Sequence, residues 1–385
     1  MRTQALVTVL ALGALAGTAV TAGAQEGPIR IGLEAPLTGS LATLGDGMLK
    51  GAQLAVEQLN DSGGVLDRQI ELVPIDDGGD KTIGVPAVEA AIAAGLDGVV
   101  GPYNSGVGIQ TLPLYIAAGV MPIRLTSDIS TSGLGYTLQP MTYQIAPVDA
   151  EALHEWIGAT NVVILSDPTQ NYSATIAKDV QTALGEMGVT VAGVIEIAPG
   201  AGDYTDAVAQ ALALSPDAIF GSVYSPEGAA IAVALHAADP DGAVACLLDY
   251  ASFDQTYVDS AGDAASRCDV VGVPAPDDFL GSETYVQAYE GLHGSFPGAW
   301  SPYTYDSIRF LVAGMTGARS TEYAALEKVL DRIDGWVGWT GAVAIDGITG
   351  DRDPATVVVT SVQDLGDGPE LHVDLDWAAS VNAPF

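Results

Sequence analysis

Positive charge is scarce in this chain. Its 385 residues include 13 lysines and arginines against 48 aspartates and glutamates, a formal net charge of −35. A surface this acidic repels phosphate, which argues against nucleic acid as a partner and against docking on anionic membranes. Cysteine is nearly absent, with two residues, and the four histidines are dispersed at 154, 236, 293 and 372. Neither supplies the clustered ligands of a structural zinc centre. Enzyme signatures are also missing. There is no Gly-x-Ser-x-Gly, no His-Glu-x-x-His and no Gly-x-x-x-x-Gly-Lys-Ser/Thr. What the chain does have is apolar residues, 48% of the total, which excludes disorder. The length fits two or three domains at about 150 residues each.

Residues 1–24 read as a leader rather than as fold. Arg2 precedes an apolar run over 5–20, and Ala22-Gly23-Ala24 follows. These are the three parts of a secretory signal, with cleavage expected after Ala24. The run is short and diluted by glycine and threonine, so a membrane anchor is disfavoured. No later stretch resembles a membrane span, and the mature protein is expected to be exported and soluble. In an oxidising compartment an even cysteine count suggests one bridge, Cys246–Cys268. Two free buried thiols are the alternative.

Strand and helix patterns alternate. Short apolar runs at 29–33, 70–75, 96–100 and 121–125 predict strands, with helices over 48–59, 86–94 and 110–118 between them. Pro86 is placed in the first turn of its helix. A second series has strands at 162–165, 189–197, 218–220, 243–248 and 270–273, with helices at 176–187, 204–214, 226–238 and 253–261. Ala146-Pro147 reads as the crossover between the two series. After Pro274 come helices over 285–292, 305–315 and 323–333, then strands over 341–345 and 356–362. Such alternation predicts parallel sheets with helices on both faces. Sites in sheets of this kind lie beyond the carboxyl ends of strands and between domains.

Two local patterns carry little chemistry. The glycines of Gly45-Asp46-Gly47-Met48-Leu49-Lys50-Gly51 faintly suggest a dinucleotide loop with Asp76 as its acid. The spacing is wrong, however, and the strand lies too far from the first glycine. Asp76, Asp77 and Asp80 read as a turn and a helix cap, with a cation site as the alternative.

Longer segments carry a family resemblance. Ile29-Arg-Ile-Gly-Leu-Glu-Ala-Pro-Leu-Thr-Gly39 is followed by Gly51-Ala-Gln-Leu-Ala-Val-Glu-Gln-Leu-Asn60 and Gly63-Gly-Val-Leu-Asp-Arg-Gln-Ile-Glu-Leu-Val73. Gly101-Pro-Tyr-Asn-Ser105 and Ala261-Gly-Asp-Ala-Ala265 continue the series. In order and spacing these resemble the type 1 periplasmic solute-binding proteins of ABC importers, in particular the branched-chain amino-acid-binding group. The likeness runs from about residue 28 to about 362. It implies two α/β lobes joined by three crossovers, with ligand in the cleft and no catalysis.

The resemblance also implies a set of site residues. Ser105 matches a serine that bonds a ligand carboxylate, and it opens a helix, where N–H groups and the dipole favour an anion. Thr126, Ser127 and Asp128 fall where the family binds the backbone groups of an amino acid. Asp149 matches an acid beyond the first crossover in Tyr143-Gln-Ile-Ala-Pro-Val-Asp149. Tyr172 and Tyr224 match cleft tyrosines of the second lobe, and Asp249 matches the acid that pairs with a ligand ammonium. Leu44 stands where some relatives carry an aromatic ring, so a leucine-like specificity does not follow.

The expected organisation is residues 25–147 and 276–352 in lobe 1, with 148–275 and 353–385 in lobe 2. The expected function is a periplasmic substrate-binding protein that captures an amino acid or related small polar molecule and delivers it to a membrane permease. No cofactor, metal or direct membrane insertion is implied. An extracellular sensor of the same fold and an exported enzyme are the alternatives.

Overall fold

A computed structural model describes residues 27–381 apart from position 367. The leader expected over 1–24 lies outside the described residues. The chain first lays down β1 (Ile29–Ala35), α1 (Ala42–Asp61), β2 (Ile70–Asp76), α2 (Lys81–Ala94), β3 (Gly98–Val100), α3 (Ser105–Ala117) and β4 (Pro122–Ile123). The four strands form one parallel sheet in the order β2-β1-β3-β4. β1 is buried along nearly its whole length. Its sequence is not an unbroken apolar run, because Arg30 and the fully buried Glu34 interrupt it.

The second sheet is built from the next segment. It takes in α4 (Thr142–Glu151), β5 (Asn161–Ser166), α5 (Asn171–Glu186), β6 (Thr190–Glu196), α6 (Thr205–Ala213), β7 (Ala218–Ser222), α7 (Ser225–Ala238), β8 (Ala245–Leu248), α8 (Gln255–Ala261) and β9 (Asp269–Gly272). The chain then returns to the first lobe with α9 (Glu283–His293), α10 (Ser301–Ala318), α11 (Tyr323–Leu330) and the antiparallel pair β10 (Asp334–Gly338) and β11 (Gly341–Ala344). α10 packs along α1. Gly51 makes this approach close, because a Cβ there would overlap the Ser301 carbonyl. The glycines 45, 47 and 51 thus lie within α1, where they serve helix packing and form no phosphate loop.

Finally β12 (Val358–Asp364), β13 (Pro369–Val373) and α12 (Leu375–Ser380) rejoin the second lobe. The seven-stranded order is β13-β12-β9-β8-β7-β5-β6. β12 and β13 are antiparallel additions to five parallel strands. β7 is fully buried, whereas the edge strand β6 is only partly so. Cys246 and Cys268 are bonded, with Cα atoms 4.5 Å apart. They belong to β8 and to the residue just before β9, neighbours paired through Leu247 and Asp269.

Three departures from the sequence reading have local causes. Ala146 and Pro147, read as the crossover, lie inside α4, which packs on α5 with the second lobe. The helix starts earlier because Gln144 accepts the Met141 N–H at 2.9 Å, and because Ile145, Ala146 and Ala150 bury one face. α2 begins at Lys81, so Pro86 is inside it and not in its first turn. Asp80 sets that start by accepting the Thr82 N–H at 2.7 Å. Asp76 accepts N–H groups of Leu37, Thr38 and Gly78, and Asp77 that of Gly79. The cluster is therefore engaged in turns and a cap. β10 and β13 were not read from the sequence at all.

The crossovers run side by side. Thr137 N–H donates to Gly350 O at 2.9 Å, and Gln144 Nε2 to Arg352 O at 3.0 Å. The Arg352 guanidinium donates to the carbonyls of Leu138, Thr340 and Ala342. Arg124 and Asp351, both fully buried, form an ion pair at the same place. Ser132 donates to Asp351 at 2.7 Å, and Tyr143 of α4 does so at 3.3 Å.

Candidate functional site

The parallel strands of the two sheets point their carboxyl ends at a shared cleft. Each is followed by a short turn into a helix or 3-10 segment, and these turns supply the cleft side chains. Gly101, at φ +100°, ends β3 in a conformation that side chains rarely adopt. It turns the chain into Tyr103 and Ser105 at the head of α3. Leu125 and Ser127 follow β4. Tyr172 stands at the start of α5 after β5, Tyr224 caps α7 after β7, and Tyr250 and Ala251 follow β8. These eight residues, four from each lobe, line a narrow pocket of about 10 Å³. Its position is the one favoured in open α/β sheets.

The lining is hydroxyl-rich and apolar, with no charged side chain among the eight. Ser105 Oγ accepts the backbone N–H of Asp128 at 3.1 Å and so ties the turn after β4 to the head of α3. Ser127 Oγ donates to Gln139 Oε1 at 3.4 Å. Aromatic rings close the sides. Tyr103 and Tyr224 meet across the lobes with centroids 6.2 Å apart. Trp300, at the head of α10, stands 4.9 Å from Tyr250 and 5.4 Å from Tyr103. Trp300 is 1% exposed and its indole N–H has no acceptor among the described residues.

Negative charge lies directly behind this wall. Tyr172 donates its phenol hydrogen to Asp249 Oδ1 at 2.7 Å. Asp249 also accepts the Ala251 N–H at 3.2 Å and the Ser222 hydroxyl at 3.2 Å. Burial pushes its carboxyl up to about 7, against the opposing effect of those three donors. Asp149 is equally buried, and neither carboxylate oxygen has a hydrogen-bond donor among the described residues. Burial, followed by the nearby Asp249, raises it well above the usual carboxylate range. Two buried acids thus lie close together under Tyr172, and a cation brought there would be strongly held.

The residues expected from sequence divide into two groups. Ser105, Ser127, Tyr172 and Tyr224 line the cavity. Thr126, Asp128, Asp149 and Asp249 stand behind its lining. Thr126 is buried in lobe 1, its hydroxyl 2.8 Å from that of Thr131. Asp128 caps the short 3-10 turn Ile129–Thr131 through the Ser130 N–H at 2.8 Å. Leu44 is buried in α1 and does not line the cavity. Tyr103, Leu125, Tyr250 and Ala251 were not singled out beforehand. Tyr103 lies inside the quoted 101–105 segment and Tyr250 follows Asp249, so the signal was an aromatic beside a residue already chosen.

Among the described residues, no helix is long and apolar enough to cross a membrane. One region is similar to a Leu/Ile/Val-binding protein of Rhizobium johnstonii, at 31% identity over 239 residues. That alignment covers 61% of this chain and 62% of the relative, so the chain spans less than two thirds of that relative's length. The fold is similar to that of a leucine-binding protein from Thermotoga maritima, with TM-score 0.80 at 21% identity over 90% of this chain and 99% of that one. It is also similar to an ABC-transporter solute-binding protein from Rhodopseudomonas palustris in complex with 3,4-dihydroxybenzoic acid. There the TM-score is 0.81 at 18% identity, over 90% of this chain and 96% of that one. Residues 28–363 match the family described as periplasmic binding protein, and the chain belongs to that family.

Proposed function

We propose that this protein captures an amino acid, or a closely related small molecule bearing an ammonium group, between its lobes and delivers it to the permease of an ABC importer. In this reading residues 1–24 direct export to the periplasm and are removed after Ala24. The ligand carboxylate lies against the Ser105 and Ser127 hydroxyls and the head of α3, where backbone N–H groups favour an anion. The ammonium lies against Tyr172 and the acid pair Asp249 and Asp149. Leu125 and the tyrosine rings pack the side chain.

The observation that carries this reading is the acid pair buried under Tyr172, opposite hydroxyls from the other lobe. A zwitterion held in this way needs both lobes, so binding favours the closed form that a permease recognises. The Leu/Ile/Val-binding relatives and the leucine-binding neighbour support an amino acid as the class. Denaturing the freshly purified protein and identifying the released small molecule by mass spectrometry tests the proposal. An amino acid in near one-to-one amount supports it, and a sugar or a metal chelate would exclude it.

A second reading has one observation in its favour. Four tyrosines line the cavity, and rings of that kind suit an aromatic acid such as the one bound by the Rhodopseudomonas neighbour. The acid pair opposes it, because a ligand with only negative charge would be repelled there.

A further inference from the structure

A second cluster of polar side chains lies away from the cleft, at the outer edge of lobe 2. Glu370 and His372 are on β13, and Asp277 is on the crossover between β9 and α9. One oxygen or nitrogen of each lies within 4.8 Å of those of the other two. Asp277 is far in sequence from Glu370 and His372, which is why the dispersed histidines gave no zinc signal.

His372 is the informative member. It is 4% exposed. Its Nδ1 lies 3.2 Å from Asp278 Oδ1. The other Asp278 oxygen accepts the backbone N–H groups of Val373 at 3.0 Å and Ala275 at 3.1 Å. That carboxylate is fixed by the backbone, so it fixes the ring in turn. With Nδ1–H donating to Asp278, Nε2 presents its lone pair. Nε2 has no hydrogen bond among the described residues and faces Glu370 Oε2 at 3.9 Å. Asp277 Oδ1 lies 3.8 Å from Nδ1, and one ligand atom of each of the three residues lies within 4.8 Å of the other two. A backbone-anchored carboxylate orienting an imidazole toward further carboxylates is the arrangement that holds histidine to a metal ion.

We propose that His372, Glu370 and Asp277 bind a divalent first-row transition cation, with zinc as the best fit. An imidazole nitrogen with two carboxylates suits zinc and its neighbours, whereas calcium and magnesium prefer oxygen alone. Bonds of about 2.0–2.1 Å in a tetrahedral site set ligand separations of roughly 3.3 Å. Glu370, at the strand edge, needs only a small side-chain movement to reach that separation. The cluster opens on a cavity of about 510 Å³ that is also lined by Glu283 and Glu290 of α9. Water has room to complete the coordination, and the acidic surface concentrates cations nearby. Because Asp277 belongs to a crossover, the ion fastens that crossover to the edge of lobe 2.

The test is calorimetric titration of the chelator-treated full-length mature protein with zinc chloride, in millimolar magnesium to occupy weak surface acids. One zinc per chain is expected. Asp277→Asn and His372→Gln should each weaken it at least tenfold. Asp277 is exposed, so its variant keeps the test valid if replacing the buried histidine impairs folding. Cobalt in place of zinc should give visible absorption bands that His372→Gln abolishes. The absence of a saturable one-site isotherm overturns the proposal, as does equal affinity in wild type and Asp277→Asn. Either result would leave His372 as a buried ring packed among carboxylates.

Discussion

Tyr172 and Asp249 are joined by a 2.7 Å hydrogen bond that runs from the cavity wall to a carboxylate with no exposed surface. The bond links the two properties a ligand would meet in lobe 2, an aromatic face and a buried negative charge. Replacing Tyr172 by phenylalanine keeps the ring and removes a donor to a charged acceptor, worth about 1.5–3 kcal/mol. Ligand affinity should fall at least tenfold, and the melting temperature of the ligand-bound protein should fall with it. Calorimetry and thermal melting on the same sample check both parts.

Asp249 makes the ligand-free protein pH-sensitive. Its folded-state value of about 7 lies above the ordinary aspartate range, and Asp149 is displaced in the same direction. Between about pH 4 and 7 the folded form keeps a proton that the unfolded chain releases, so stability falls as pH rises through this window. Asp149→Asn should flatten that slope and raise the ligand-free melting temperature at pH 8. Melting curves from pH 5 to 8 check it. Ammonium binding has the opposite trend, since it needs an ionised Asp249. Affinity should decline below pH 7, approaching tenfold per unit.

The buried Arg124–Asp351 pair fastens the turn after β4 to the third crossover. Asp351→Ala leaves the arginine buried without its counter-charge, at a cost of about 3–5 kcal/mol. Denaturant unfolding should show this loss. Asp353→Ala, changing a neighbouring exposed acid, should cost far less.

The bond between Cys246 and Cys268 closes a loop of sequence separation 22. On the chain-entropy model such a closure contributes about 3 kcal/mol. Unfolding in the presence of reductant, or of the double serine variant, should show an unfolding free energy lower by that amount. A non-reducing peptide map should contain one linked pair.

Much of this architecture was legible because buried parallel strands such as β5 and β7 announce themselves as apolar runs. α4 was not legible, since Pro147 read as a break while Gln144 capped a helix that starts before it. β13 was missed because Pro369, Glu370 and His372 give a short polar edge strand no apolar signature. In the cleft, Ser105 and Tyr172 were found through motif position at strand ends. Trp300 was not, because nothing local distinguishes a tryptophan that bridges lobes from one in an ordinary core. The Asp277, Glu370 and His372 cluster joins positions about 90 residues apart and forms only when β13 pairs with β12.

The central claim is that one lobe takes a carboxylate and the other an ammonium. Its most direct test is calorimetric titration of the wild type, Asp249→Ala and Ser105→Ala proteins with the identified ligand and its amine-free analogue. Loss of Asp249 should cost about 3–5 kcal/mol, because it removes a buried counter-charge. Loss of the Ser105 hydroxyl should cost about 1.5–3 kcal/mol, because the helix N–H groups remain. The account predicts a weaker isotherm for Asp249→Ala than for Ser105→Ala, and no measurable binding of the analogue to wild type. Unchanged affinity in Asp249→Ala, or equal binding of the amine-free analogue, would contradict it.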